Sequence, residues 1–307
     1  MSEYQYYEFL AVDRPLNATE MDRLRSCSSR ARITPTGFIN EYHWGNFKGD
    51  VEEWMEKYFD AHLYFANWGS QVVMFRLPSR NLALKEIRDY LTGESLTVHE
   101  PGPSLILTFS SSDDSGDFAG YGHEVQGSLA QLLPLRAALA QGDLRSLYLG
   151  WLGAVQKGEL DDEKLEPSVP SGLGQLDASL AALTSLLGID PDLVAAAAQT
   201  SPTREALETR REDVQAWIAA LPVAEKDEFL ARCVLSEPEA HPSILLRRFL
   251  RERDAGAPAK AAIPARRTVG QLLEVAESFA EAQRQQIAAE EHRRQQARHR
   301  EYPRPTR

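Results

Sequence analysis

Two carboxylate–imidazole pairs are the residues of this sequence whose types and spacing could do chemistry. Glu41 stands two residues before His43, and Asp60 stands two residues before His62. Residues two apart on a strand point to the same side, so either pair could share a proton or hold a metal ion. A carboxylate is the usual outer partner of a metal-bound imidazole. These four residues are the candidate catalytic set of a metal-dependent hydrolytic enzyme.

The surroundings of the two pairs favour a different interpretation. Residues 1–75 hold 15 of the 26 aromatic residues, with seven Lys and Arg against eleven Asp and Glu. A surface that stacks bases also needs basic residues to meet phosphates, so this balance favours core packing. We therefore expect His43 and His62 to be hydrogen-bonded core or rim residues, with no catalytic role.

Other catalytic signatures are missing from the sequence, which contains no GxSxG, HExxH, phosphate loop or GxGxxG. The run from Asp113 to Asp117 lacks the alternating ligands and closing Glu of a calcium loop. Cys27 and Cys233 form no CxxC pair, which excludes a cysteine-rich zinc site and fits a reducing cytoplasm. We expect no metal, no cofactor and, on balance, no enzymatic activity.

The C-terminal segment is the best candidate for nucleic-acid binding. The net charge of −11 disfavours polyanion binding by the whole surface. Residues 265–307, however, carry nine Arg, no Lys and six Glu. Arg293, Arg294, Arg298 and Arg300 form a basic arm that could bind phosphates without sequence preference. The alternative is the soluble end of a helix from a longer coiled coil.

A smaller basic feature lies in the N-terminal part. Arg30 and Arg32 precede Thr34-Pro35-Thr36 and could contact an anion. A solvated loop is the alternative, and it is the interpretation we favour at this position.

Hydrophobic periodicity predicts an α+β fold. Strand and helix signals alternate as β-α-β-α-β-β-α-β-β over residues 1–112, which indicates a mixed or antiparallel sheet with helices on one side. In the strand at 72–77, Val73, Phe75 and Leu77 should share one face, opposite Val72, Met74 and Arg76. An acidic loop at 113–127 then leads to an all-helical region at 128–254. A linker at 255–266, a long helix at 267–300 and a disordered tail at 301–307 complete the plan.

Helix-start signals support this plan at several positions. Asn17 with Glu20 predicts a capping box, and Asp50 and Asp143 are predicted N-caps. The leucine stripe at 173–187 is typical of an internal core.

The last helix carries the candidate partner-binding residues. Thr268 with Gln271 predicts its start. An apolar stripe then follows, which could pack within the chain or dock on another protein. Its members are Val269, Leu272, Leu273, Ala276 and Phe279. The second half is polar on all faces and needs a partner, or it frays in water.

Several stretches resemble a family of bacterial proteins of unknown function. They are YYEFLAVDRPL at 6–16, SSRARITPT at 28–36, NEYHWGNFKGD at 40–50, YFDAHLY at 58–64 with ANWG at 66–69, and GDLR at 142–145 with LYLGWL at 147–152. The resemblance covers most of the chain and implies no activity, because that family has no assigned reaction. Its members continue with longer charged helices.

These observations favour a cytoplasmic, non-enzymatic interaction or regulatory protein whose last helix docks on another protein. The metal-dependent enzyme and the nucleic-acid binder remain the alternatives. No apolar run approaches the roughly 18 residues of a membrane span, so we expect no membrane association. The sequence leaves the oligomeric state open.

Overall fold

A seven-stranded antiparallel sheet forms the N-terminal part of the protein. The computed structural model describes residues 3–82, 84–112, 128–202, 211–234, 245, 248–249, 252 and 266–301. The strands are β1 (Gln5–Leu10), β2 (Arg32–Thr34), β3 (Gly37–Tyr42), β4 (Ala61–Ala66), β5 (Ser70–Pro78), β6 (Leu96–His99) and β7 (Ser104–Ser112). Their order across the sheet is β2-β3-β1-β4-β5-β7-β6, and all neighbouring strands are antiparallel. The α+β class is thus confirmed, with the antiparallel form of the sheet.

Helices lie between the strands and follow them. Those in the described residues are α1 (Ala18–Cys27), α2 (Val51–Lys57), α3 (Leu84–Ile87), α4 (Ser128–Ala140), α5 (Arg145–Gln156), α6 (Ala178–Leu186), α7 (Pro191–Ala198), α8 (Arg211–Ala220), α9 (Val223–Val234) and α10 (Val269–Glu301). The predicted long C-terminal helix is therefore confirmed, within one or two residues of its predicted ends.

Polar caps fix several helix starts as the sequence predicts. The Asn17 side chain accepts a hydrogen bond from the Glu20 amide, and the Glu20 carboxylate accepts one from the Asn17 amide. Asp50 caps α2 through the amide of Glu53. At α5 the prediction is off by one residue, because Leu144 is the N-cap and Asp143 accepts from the Arg145 amide.

Both faces of the sheet are covered, which corrects the expectation of helices on one side only. One face carries the aromatic-side core, in which Phe9 and Phe38 of the sheet meet Trp54 and Met55 of α2. The other face carries the helical-side core, which begins with Tyr6 on β1. The reason lies in β1, which places large apolar side chains on both sides, with Tyr7 and Phe9 on one and Tyr6 and Leu10 on the other.

Strand β5 confirms the predicted alternation of faces. Val73, Phe75 and Leu77 belong to the helical-side core, whereas Met74 packs in the aromatic-side core beside the half-buried Val72. Period-two patterning of this kind fixes the register of the strand, since a one-residue slip would reverse every side chain.

The helical region packs directly on the sheet. Leu129, Leu139, Trp151 and Leu183 from three helices share the helical-side core with the strands. Helix α5 is buried on all sides, and a Cβ atom at Gly150 would come within 2.9 Å of the Leu96 side chain. The sheet and the helices of residues 128–198 therefore form one continuous core, in which the leucine stripe at 173–187 is internal as predicted.

Three of the predicted segments lie outside the described residues. They are the loop at 113–127, the linker at 255–266 except Arg266, and the tail at 301–307 except Glu301. In the part of the chain that the structure describes, no helix is long and apolar enough to cross a membrane.

Candidate functional site

The first turns of α10 are built into the core of the protein. Val269 and Leu272 are fully buried in the helical-side core, and Ala276 is buried beside them. The predicted capping box is present, because Thr268 and Gln271 exchange backbone-to-side-chain hydrogen bonds. Helix α10 packs mainly on α7. We call residues 266–279 the root of the helix.

A strap from residues 162–166 holds the root at its N-terminal end. Thr268 forms an antiparallel bridge with Leu165, and the amide of Val269 donates to the carbonyl of Lys164 at 2.9 Å. The amide of Gly270 donates to the carbonyl of Asp162 at 3.0 Å. These bonds satisfy backbone donors at the helix start, which otherwise have no partner within the helix.

A buried ion pair locks the root to the helical region. The Arg267 guanidinium donates through Nε and one terminal nitrogen to the two oxygens of Glu166, both at 2.9 Å. Tyr148 on α5 donates its hydroxyl to the same carboxylate at 2.5 Å. Burial raises the pKa of the Tyr148 phenol, and the nearby Glu166 charge raises it further, so the phenol stays a donor. The other terminal nitrogen of Arg267 donates to the carbonyl of Ala196 on α7 at 2.9 Å.

The second half of α10 leaves the core. Every side chain from 281 to 294 is exposed, and Ile287 is 53% exposed. We call residues 280–294 the arm. A helix of 33 residues is about 50 Å long, so the root and the arm are far apart in space.

The predicted partner-binding stripe is thus divided between the core and the surface. Val269, Leu272 and Ala276 are packed inside their own chain, which corrects the idea that they form an open docking face. Leu273 is 38% exposed, and Phe279 is half-buried at the edge of the core. The physical reason is that an apolar stripe preceded by a capping box can bury itself on its own chain.

The two carboxylate–imidazole pairs do not converge. Glu41 lies opposite Tyr6 on β1, whereas His62 lies opposite Phe9, three positions further along the same strand. Because Tyr6 and Phe9 belong to different cores, Glu41 and His62 project from opposite faces of the sheet. The described residues contain no group of three or more His, Cys, Asp or Glu arranged to hold a metal ion.

Asp60 is an anchor between the sheet and the following helices. It is 1% exposed and accepts hydrogen bonds from the amides of Val12 and Asp13 at 2.7 and 2.9 Å. Arg76 donates to its other oxygen at 2.6 Å. Burial alone would raise the pKa of Asp60, but these donors and the Arg76 charge outweigh it and lower the pKa. Arg136 of α4 completes the anchor with an ion pair to Asp13 at 2.6 Å.

His62 is a core residue. Its ring stacks on Phe9 with 4.0 Å between centroids, and its Nδ1 lies 2.9 Å from the Glu8 carbonyl oxygen, to which it donates. Burial lowers the pKa of His62 to about 3, so the ring is neutral at neutral pH. His43, in contrast, is exposed, with its ring 5.4 Å from that of Tyr4.

The basic residues predicted for nucleic-acid binding lie at the far end of the arm. Arg293 and Arg294 are exposed, and Arg294 lies 3.9 Å from Glu290. The side chains of Arg298 and Arg300 lie outside the described residues. Between 281 and 294 the helix carries three Arg and three Glu, so the charge of this part is balanced.

Sequence reasoning missed the lock formed by Arg267, Glu166 and Tyr148. The residue pair at its centre is separated by 101 positions, and a single charged residue at each end leaves no periodic signal.

The chain matches no protein-family model, no curated protein and no solved structure. The resemblance to a bacterial family of unknown function therefore stays a prediction.

Proposed function

We propose that this protein is a non-enzymatic interaction protein that presents the arm of α10 to a helix of another protein in the cytoplasm. The observation that carries the proposal is the contrast within one helix. The root is buried and locked by the Arg267–Glu166 pair, whereas all side chains from 281 to 294 are exposed. The locked root ties the start of the arm to the folded core and leaves the arm itself in water.

A seven-residue spacing on the exposed side of α10 supports a helical partner. Leu273, Ala280 and Ile287 follow one another at this interval, and Leu273 and Ile287 are exposed while Ala280 is partly so. A stripe repeating every seven residues stays in register with a partner helix that winds around it. Each member of this stripe is followed four positions later by a charged residue of alternating sign. These residues are Glu277, Arg284 and Glu291. Such flanking charges select partner and orientation in paired helices.

A polar helix with one thin apolar stripe also has a physical need for a partner. Most helical stability in proteins comes from packing an apolar face, and isolated helices shorter than about 12–15 residues are marginal in water. A partner helix on the Leu273–Ala280–Ile287 stripe would supply that packing. The balanced charge of residues 281–294 suits protein binding around Ile287, whereas the excess of Arg that phosphate binding needs lies at residues 292–307, with six Arg and one Glu.

Site-specific photocrosslinking in the native host tests this proposal. A crosslinking amino acid at Ile287 should give a discrete product with another protein. The matched control is Gln285, which is also exposed on the same helix but lies about 200° around its axis from Ile287. We expect a product at Ile287 that is at least about tenfold stronger than at Gln285.

A pair of substitutions provides a second test. When the crosslinking amino acid replaces Leu273, Ile287→Asp should abolish the crosslinked product, whereas Gln285→Asp should leave it unchanged. Equal products from both crosslinking positions would contradict the proposal, and so would a product formed only with a second copy of this chain.

A further inference from the structure

A polar cavity of about 300 Å³ lies at the edge of the sheet, far from α10 in the sequence. Its walls are the turn at 27–30, which follows α1, and the segment 40–48, which ends β3 and leads to α2. Two of the stretches quoted above, SSRARITPT and NEYHWGNFKGD, contribute these walls. The volume is at the lower end of the range for small-molecule sites in proteins.

The floor of the cavity is a buried polar pair. Asn40 and Ser28 are both buried, and the Asn40 amide donates to the Ser28 hydroxyl at 3.0 Å. The hydroxyl hydrogen of Ser28 is then free to point to a second acceptor. On the rim, the Gln5 side-chain amide donates to the carbonyl of Gly45 at 3.2 Å and holds the loop. Gly45 itself has φ +84°, which favours glycine. These hydrogen bonds hold the floor and the rim loop of the cavity in place.

An exposed indole stands on the rim of this cavity. Trp44 is 70% exposed, whereas Trp54 and Trp151 are buried in the two cores. The Arg30 guanidinium lies over one face of the Trp44 indole, 5.4 Å from the ring centroid, which is a cation–π contact. Stacking a planar ring on such an exposed indole is favourable, because it removes the apolar surface of both rings from water.

The cavity is also locally positive in an acidic protein. Arg30 and Lys48 line it together with Glu41 as the single lining carboxylate, while the whole chain carries a net charge of −11. Within the described residues, neither Arg30 nor Lys48 forms an ion pair with a carboxylate. Their charges are available to a ligand, and a guanidinium is well suited to the oxygens of a phosphate or carboxylate.

We propose that this cavity binds a small planar aromatic molecule that carries one anionic group, such as a nucleoside monophosphate or an aromatic carboxylate. The ring stacks on Trp44, and the anionic group meets Arg30 and Lys48 above the Ser28–Asn40 floor. The proposal is independent of the arm of α10, because the two sites share no residue.

Calorimetric titration of the full chain at low ionic strength tests the proposal. The probes are adenosine 5′-monophosphate, indole-3-acetate, adenosine and inorganic phosphate. Adenosine 5′-monophosphate and indole-3-acetate carry both a ring and an anionic group, and we call them the complete probes. At least one of them should bind with Kd below about 1 mM. Adenosine lacks the anion and phosphate lacks the ring, so each should bind at least about tenfold more weakly. Which complete probe binds more tightly distinguishes a phosphate from a carboxylate ligand.

Variants locate the binding at this cavity. Trp44→Ala and Arg30→Gln should each weaken the binding of the tighter-binding probe about tenfold or more. Higher salt should also weaken the binding of this probe to the parent protein. The matched controls are Trp68→Ala, at the other well-exposed tryptophan, and Arg23→Gln, at an exposed arginine of α1. Both controls should bind as the parent protein does.

All four changed side chains lie at the surface, so circular dichroism should show the parent fold in each variant. Failure of both complete probes to bind at millimolar concentration would overturn the proposal, and so would equal losses in the Trp44 and Trp68 variants. Ile287→Asp should leave probe binding unchanged, so a failure here is distinguishable from a failure of the docking arm.

Discussion

The two halves of α10 have similar secondary structure and opposite surroundings. The root places Val269 and Leu272 in the helical-side core, and Arg267 pairs with the buried Glu166. The arm exposes every side chain from 281 to 294. The root thus stabilises the fold, while the arm is available to another molecule. Local sequence makes both halves helical, and only the root packs in the core.

The largest effect should come from removing the cation of the root. Arg267→Gln leaves the buried Glu166 carboxylate without its charge partner, and breaking a buried pair in this way costs about 3–5 kcal/mol. Urea unfolding followed by circular dichroism measures the loss. Arg294→Gln in the arm removes a surface pair and should change the free energy of unfolding by less than about 0.5 kcal/mol. Similar losses in both variants would remove the distinction between root and arm.

Two adjacent leucines of α10 offer a matched test of the same contrast. Leu272 is 0% exposed and Leu273 is 38% exposed. Leu272→Ala should lower the free energy of unfolding by about 3 kcal/mol, because it opens a cavity in the core. Leu273→Ala should cost less than about 1 kcal/mol, since its site is partly in water. Thermal melting of both proteins gives the comparison, and a larger loss at Leu273 would show that the helix faces are assigned wrongly.

The contrast between buried and exposed groups extends to pH. Burial lowers the pKa of His62 from 6.5 to about 3, so between these values the unfolded chain binds a proton that the folded protein does not. Stability contributed by neutral His62 is therefore present above pH 6.5 and falls on acidification, by roughly 2 kcal/mol from pH 7 to pH 5.

A variant pair isolates this contribution. His62→Gln should show a smaller loss of stability between pH 7 and pH 5 than the parent protein, while His43→Gln, at an exposed position, should match the parent. Chemical denaturation at the two pH values measures both. An unchanged pH dependence in the His62 variant would contradict the buried, neutral assignment.

The smallest effect on stability should come from the arm itself. Ile287→Ser removes an exposed side chain and should change the free energy of unfolding by less than about 0.5 kcal/mol. The same substitution should weaken crosslinking through Leu273. A loss of stability comparable to that of Leu272→Ala would place Ile287 in a packed environment.

Local signals account for what the sequence could predict. The capping boxes at Asn17 and Thr268 and the alternation along β5 depend on neighbours within a few residues, and the structure confirms all three. The exposure of the polar second half of α10 also follows from its pattern.

Long-range pairing accounts for what the sequence could not predict. The Arg267–Glu166 pair joins residues 101 positions apart, and no local rule connects them. The same limit applies to the carboxylate–imidazole pairs. Their spacing is compatible with shared chemistry, but the strand order places Glu41 and His62 on opposite faces of the sheet.

Hydrogen–deuterium exchange along α10 tests the central claim most directly. In the purified full chain, amides of residues 272–279 should be protected by at least about a thousandfold, whereas those of 281–294 should exchange within about tenfold of the unfolded rate. In the complex isolated from the native host, the amides around Ile287 should become protected. Equal protection of the two segments in the purified protein, or no change around Ile287 in the complex, would contradict a locked root with a docking arm.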